Sequence, residues 1–153
     1  MLLDTSVMIL ALEYDNPARV DDPHLKDCRE LWVDLLASSD TTVYIASLTL
    51  LEFLRFPNAT QPPPAKKVVY AGFDYRTAID TSKWATTANL KDIRDGQGTT
   101  RRVVSYDALI VGTARAYNVD CIVTLDAGVH SLANKAGLTS REPAYFRGDP
   151  KLF

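Results

Sequence analysis

The sequence predicts an α/β fold, with a parallel sheet covered by helices on both faces. Two observations carry this expectation. Short apolar or β-branched segments alternate along the chain with longer stretches of helical periodicity, and most linkers between them are short. Neither an internal repeat nor a long low-complexity segment interrupts the pattern, so residues 1–153 are expected to form one domain with a single sizeable core.

Residues 1–4 read as a short apolar strand and residues 6–13 as a helix. The clearest helix is 24–37, where Leu25, Cys28, Leu31, Trp32, Leu35 and Leu36 form one apolar stripe. TTVYIA follows as a second strand, rich in β-branched and aromatic residues. Residues 48–56 (LTLLEFLRF) suit a helix stopped by Pro57. The segment 57–76 begins with a proline-rich loop, and VVYAGF within it is a third strand. Residues 77–94 suit one helix, ended by DGQG. ALIVGTARAY (108–117) reads as another helix, DCIVTLD (120–126) as a strand, and AGVHSLANKAG as a short helix closing at Gly137. The tail SREPAYF suits an edge strand.

Composition narrows the class. A hydrophobic fraction of 46% and a charged fraction of 24% are ordinary for a globular protein. No apolar run is long enough to span a bilayer, and the N-terminus lacks a signal-peptide pattern, so a cytoplasmic protein without membrane association is expected. Cys28 and Cys121 are expected to be buried free thiols. His24 and His130 have no local partners for a zinc site. The net charge of −2 argues mildly against a nucleic-acid binder. Acids gathered around bound cations would weaken that objection.

Four carboxylates stand out, and each has an ordinary structural explanation. Asp4 closes the first strand and could cap the first helix. Glu52 could belong to a Thr49–Glu52 capping box or pair with Arg55 or Arg29. It nonetheless falls in an almost wholly apolar helix, where an unpaired charge is costly. Asp107 reads as a first-turn acid behind a Ser105 cap, favoured by the helix dipole. Asp126 could cap the helix after its strand. Taken together they are harder to explain as caps. In a parallel sheet the strand-to-helix junctions share one edge, and ligands bind outside those carboxyl ends. Clustered carboxylates repel unless protons or cations neutralise them, and hard oxygen ligands select Mg²⁺ or Mn²⁺.

LLDTSVMI near the start, SLTLLEFLR in the middle and SYDALIVGTARAYNVDCIVTLD toward the end resemble the PIN-domain nucleases, in particular the VapC-type toxins of toxin–antitoxin pairs. The resemblance runs from residue 2 to about 146. It implies a three-layer α/β/α sandwich and a metal-dependent endoribonuclease. Its acids would be Asp4, Glu52, Asp107 and Asp126, holding Mg²⁺ or Mn²⁺. Ser6 and Thr124 match positions where hydroxyls support the acids. Many members carry a further acid where this chain has Gly128. The resemblance also implies an RNA substrate, a cognate antitoxin and a homodimer. Arg55, Arg101 and Arg102 are the arginines nearest in sequence to the acids and are candidates for RNA contact.

Two other readings fit a sheet of this kind. One is phosphoryl transfer, as in a phosphatase or a receiver domain. The phosphatase pattern wants a second Asp where Ser6 stands, and no acidic pair of the receiver type is found at a strand end. The other is a catalytically silent protein-binding module, which four intact acids disfavour.

Overall fold

The computed structural model describes residues 1–12, 19–56, 59 and 67–147. Five strands form one sheet: β1 (Leu2–Leu3), β2 (Val43–Ala46), β3 (Val68–Ala71), β4 (Cys121–Val123) and β5 (Thr139–Arg141). Their order is β3-β2-β1-β4-β5 and every pairing is parallel. Register is fixed at the centre, where Leu2 faces Tyr44 on one side and Ile122 on the other.

Among the described residues, seven α-helices connect the strands: α1 (Thr5–Leu12), α2 (Leu25–Ala37), α3 (Ser47–Phe53), α4 (Tyr75–Trp84), α5 (Thr87–Gln97), α6 (Arg101–Ala116) and α7 (Ala127–Lys135). A 3₁₀ turn, Pro143–Phe146, follows β5. The two residues of β1 explain the layering. Successive strand side chains point to opposite faces. Leu2 enters a core with Trp84, Val104, Val111 and Leu132, from α4, α6 and α7. Leu3 enters a second core with Met8, Trp32, Leu35, Phe53 and Phe146, from α1, α2, α3 and the 3₁₀ turn. Both are fully buried. The expected α/β/α sandwich is therefore present, and no helix among the described residues is long and apolar enough to cross a membrane.

Local chemistry sets the boundaries. The stripe on α2 buries Cys28, Leu31, Trp32 and Leu35, while Leu36 lies at its flank, 39% exposed. Cys28 is buried, Cys121 is half-buried, and both are free thiols. The expected helix over 77–94 is two helices. Ala85 leaves helical geometry, and Thr86 caps α5 by accepting from the Asn89 N–H. The expected helix at 108–117 starts earlier, because Thr100 caps it and accepts from the Val103 N–H. Asn118 takes a left-handed conformation (φ 51°) that turns α6 into β4. Helix α7 gives way to β5 through Gly137, also left-handed at φ 72°. The expected tail strand is β5 with a 3₁₀ turn after it, and Arg147 beyond that turn pairs with buried Asp27 of α2. Most of the proline run, residues 57–58 and 60–66, lies outside the described residues, as does residue 13 of the first expected helix.

One close approach fixes α6 on α4. A Cβ at Gly112 would lie 2.0 Å from Thr81 Oγ1. Only a residue without a side chain lets the two helices meet there.

Candidate active site

The strand order reverses direction between β1 and β4. From β1 the chain moves outward to β2 and β3, then returns to add β4 and β5 on the other side. Such a reversal opens a crevice at the carboxyl ends of the two central strands. Asp4 follows β1 directly, and Thr124 to Asp126 follow β4.

A hydroxyl network joins the two strand ends. The Asp4 N–H donates to the Val123 carbonyl at 3.0 Å, continuing the β1–β4 ladder. Ser6 Oγ and Thr124 Oγ1 both donate to Asp4 Oδ2, at 2.9 and 2.8 Å. Each hydroxyl also accepts a backbone N–H from the loop after β4: Ser6 Oγ from Leu125 at 3.2 Å and Thr124 Oγ1 from Asp126 at 2.9 Å. Because those acceptor roles orient the hydroxyls, their protons point at Asp4. Asp4 is buried. Burial raises its pKa, the two hydroxyls oppose that rise, and the Asp126 charge adds to it.

Glu52 lies in α3, which begins at Ser47, immediately after β2. The Thr49–Glu52 capping box is not formed: Ala46 is the cap residue, and buried Thr49 Oγ1 lacks a hydrogen bond. Glu52 Oε2 instead accepts from Thr5 Oγ1 at 2.6 Å. Thr5 thus holds Glu52 while Ser6 holds Asp4. Thr5 was not among the site residues selected from the sequence. Its signal was the consecutive run of oxygen-bearing side chains, Asp4-Thr5-Ser6.

Asp126 is a helix cap, as one ordinary reading held. Its Oδ1 accepts the N–H groups of Gly128 at 2.5 Å and Val129 at 3.2 Å, leaving Oδ2 outside that cap. Capping does not remove it from the site, because it is the second cause, after burial, of the raised pKa of Asp107. Gly128, where many similar sequences carry another acid, is buried in the first turn of α7.

Asp107 corrects one expectation. It is not a first-turn acid behind a Ser105 cap. It sits in the second turn of α6, and Ser105 Oγ donates back to the Arg101 carbonyl at 2.8 Å. Burial, then the charges of Asp126, Asp4 and Glu52 in that order, push its carboxyl up to about 7. All four acids therefore lie within one electrostatic neighbourhood. Among the described residues, no three His, Cys, Asp or Glu side chains stand close enough together to hold a metal ion as placed. Mutual repulsion of like charges favours such spacing. The chemistry of the donor set nevertheless suits a hard divalent cation: oxygen ligands only, with Oε1 of Glu52 and Oδ2 of Asp126 outside the hydrogen bonds described. Arg55, Arg101 and Arg102 are all exposed.

A parallel α/β/α sandwich with acids gathered at its switch point defines a carboxylate-lined class of α/β fold. The PIN domain family matches residues 1–135, and the chain belongs to that family. PIN domains are generally nucleases and typically use divalent metal ions. No curated protein matches the chain.

Proposed function

We propose that this protein is a divalent-metal-dependent endoribonuclease. The convergence of four carboxylates on one sheet edge, felt at Asp107 as a pKa of about 7, is the observation that carries the reading. Asp4, Glu52, Asp107 and Asp126 would hold Mg²⁺ or Mn²⁺. When bound, the ion supplies Lewis-acid charge at the phosphodiester and acidifies water.

The chain's own residues do the rest. Ser6 and Thr124 fix Asp4 from below, and Thr5 fixes Glu52 from the side. The first turn of α7 orients Asp126. A carboxylate of the set takes the proton of the attacking water. Exposed Arg55, Arg101 and Arg102 meet the RNA backbone. The products carry 5′-phosphate and 3′-hydroxyl ends.

We assign the chain further to the toxin side of a toxin–antitoxin pair in the cytoplasm, as a homodimer. The ordered acids and the compact chain support that assignment. The antitoxin would lie across the apolar rim of the site and place a basic side chain among the acids.

The test is expression of the parent and of Asp107→Ala, followed by mapping of cleaved RNA ends. Metal-dependent cleavage by the parent alone is expected. A pure, metal-replete preparation that cuts no RNA in any panel would overturn the nuclease reading.

A further inference from the structure

Helix α6 is longer than the sheet it covers. Its 16 residues span about 24 Å at 1.5 Å per residue. The three residues of β4 span about 10 Å. Its C-terminal end is tied to the start of β4 through Asn118, so the excess length projects past the carboxyl edge of the sheet. Asp107 lies where the helix passes the acids. Arg101, six residues earlier, lies about 9 Å further out along the axis.

Helix α5 packs along this overhang. Between the two helices is a cleft of about 150 Å³ lined by Leu90, Lys91, Arg94, Arg101, Val104 and Ser105. Its floor is apolar: Val104 is buried, and Leu90 packs against the same core. Its rim is cationic. Arg94 is engaged through Nε and Nη2 with Asp95, at 2.8 and 2.7 Å. Neither Lys91 nor Arg101 pairs with an acid among the described residues. In a chain of net charge −2, two unpaired cations on one cleft beside an acid cluster form a local field of opposite sign.

We propose that this cleft is a phosphate subsite for single-stranded RNA, taking a backbone phosphate that flanks the bond cut at the acids. Lys91 and Arg101 supply the charge. Leu90 and Val104 give an apolar surface for the adjoining ribose or base. The proposal rests on the nuclease reading and adds to it a binding position, with Lys91 and Arg94 as residues that sequence reasoning had not selected. The subsite reads charge and not sequence, because every nucleotide presents the same phosphate.

The test uses the full chain carrying Asp4→Asn, so that RNA is bound and not consumed. Fluorescent single-stranded RNA oligomers of three unrelated sequences are titrated with Mg²⁺ present, at salt concentrations from 50 to 200 mM. Loss of the one phosphate contact in Lys91→Ala/Arg101→Ala should flatten the slope of log affinity against log salt by about 0.7. The affinity gap between parent and variant should then narrow about 2.6-fold across that range, equally for all three sequences. Lys26→Ala/Lys83→Ala, an equal loss of charge on other helices, should leave the slope unchanged. An unchanged slope in the cleft variant, with RNA still bound and cut by the intact parent, overturns the subsite alone. A slope that falls equally in both double variants also overturns it, as general charge attraction. Failure of the parent to bind or cut any RNA overturns the subsite and the nuclease reading together.

Discussion

Replacing Asp107 by Asn should stabilise the metal-free protein at alkaline pH and leave it almost unchanged in acid. Asp107 has an ordinary pKa of 3.8 and is pushed up to about 7 in the fold. The folded state therefore holds the proton more tightly than the unfolded chain between those values. Stability falls as pH rises through that window, and the full penalty is present above 7. A shift of about 3 units corresponds to a ceiling of roughly 4 kcal/mol. Asp107 is only half-buried, so solvent screening reduces this to about 2 kcal/mol. For a domain of this size that is a rise in Tm of about 4–8 °C for Asp107→Asn at pH 8. At pH 4 the folded carboxyl is protonated and the unfolded one is only about half ionised, so most of the penalty is gone and the difference should shrink to about 1 °C. Calorimetry of parent and variant in chelator, at both pH values, measures the two shifts. Equal shifts at pH 4 and pH 8, or a variant less stable at pH 8, would refute the account of Asp107 as a carboxyl strained by burial and by its three neighbours.

Three further predictions address the same geometry. Thr124→Val removes a donor to Asp4 and an acceptor for the Asp126 N–H, so it should cost about 1–3 kcal/mol in denaturant titration and about 10–100-fold in cleavage. Thr124→Ser should recover both, and a Val variant with parental activity would show the network to be dispensable. Thr5→Val should lower cleavage with less effect on stability than Thr124→Val, since the Thr5–Glu52 bond is only part-buried; parallel kinetics and melting curves separate the two effects. Gly112→Ala should destabilise by about 1–3 kcal/mol through overpacking, and Thr81→Ala, which removes the Oγ1 and Cγ2 it would strike and leaves only Cβ at 3.0 Å, should suppress most of that loss; additive effects in the double-mutant cycle would show that the two do not meet.

Much of this arrangement is legible in the sequence. Asp4 and Asp126 could be selected because each stands at a strand end and Glu52 because it falls within an apolar helix, where a charge requires an explanation; Asp107 was selected through the joint pattern and the family resemblance. Sheet and layers follow from alternation of strand and helix segments. Three things were harder to read. Thr86 and Thr100 are ordinary threonines until the chain on both sides is placed, and so the break between α4 and α5 and the early start of α6 were missed. The Thr49–Glu52 capping box had the right spacing, but β2 runs directly into α3, and Thr49 lies inside the helix, buried. Thr5 is adjacent to Asp4 in sequence, yet its hydroxyl serves a residue 47 positions away, which no local pattern encodes. The cationic cleft is invisible for a similar reason: Lys91 and Arg101 come together only because α5 and α6 fold back on each other.

The bond from Thr124 to Asp4 has a consequence for synthesis as well as for the finished site. Its partners are 120 residues apart. Of the five strands described, the first to be made is the central one, and it waits for neighbours on both sides. β2 can reach it early, but β4 is made only after α6. Until then β1 has an open edge and Asp4 lacks Thr124 and the Val123 carbonyl that place it. In a nascent chain the acid cluster is therefore unassembled until β4 and Asp126 have been made. The cluster closes when β4 joins β1, and β5 then completes the sheet.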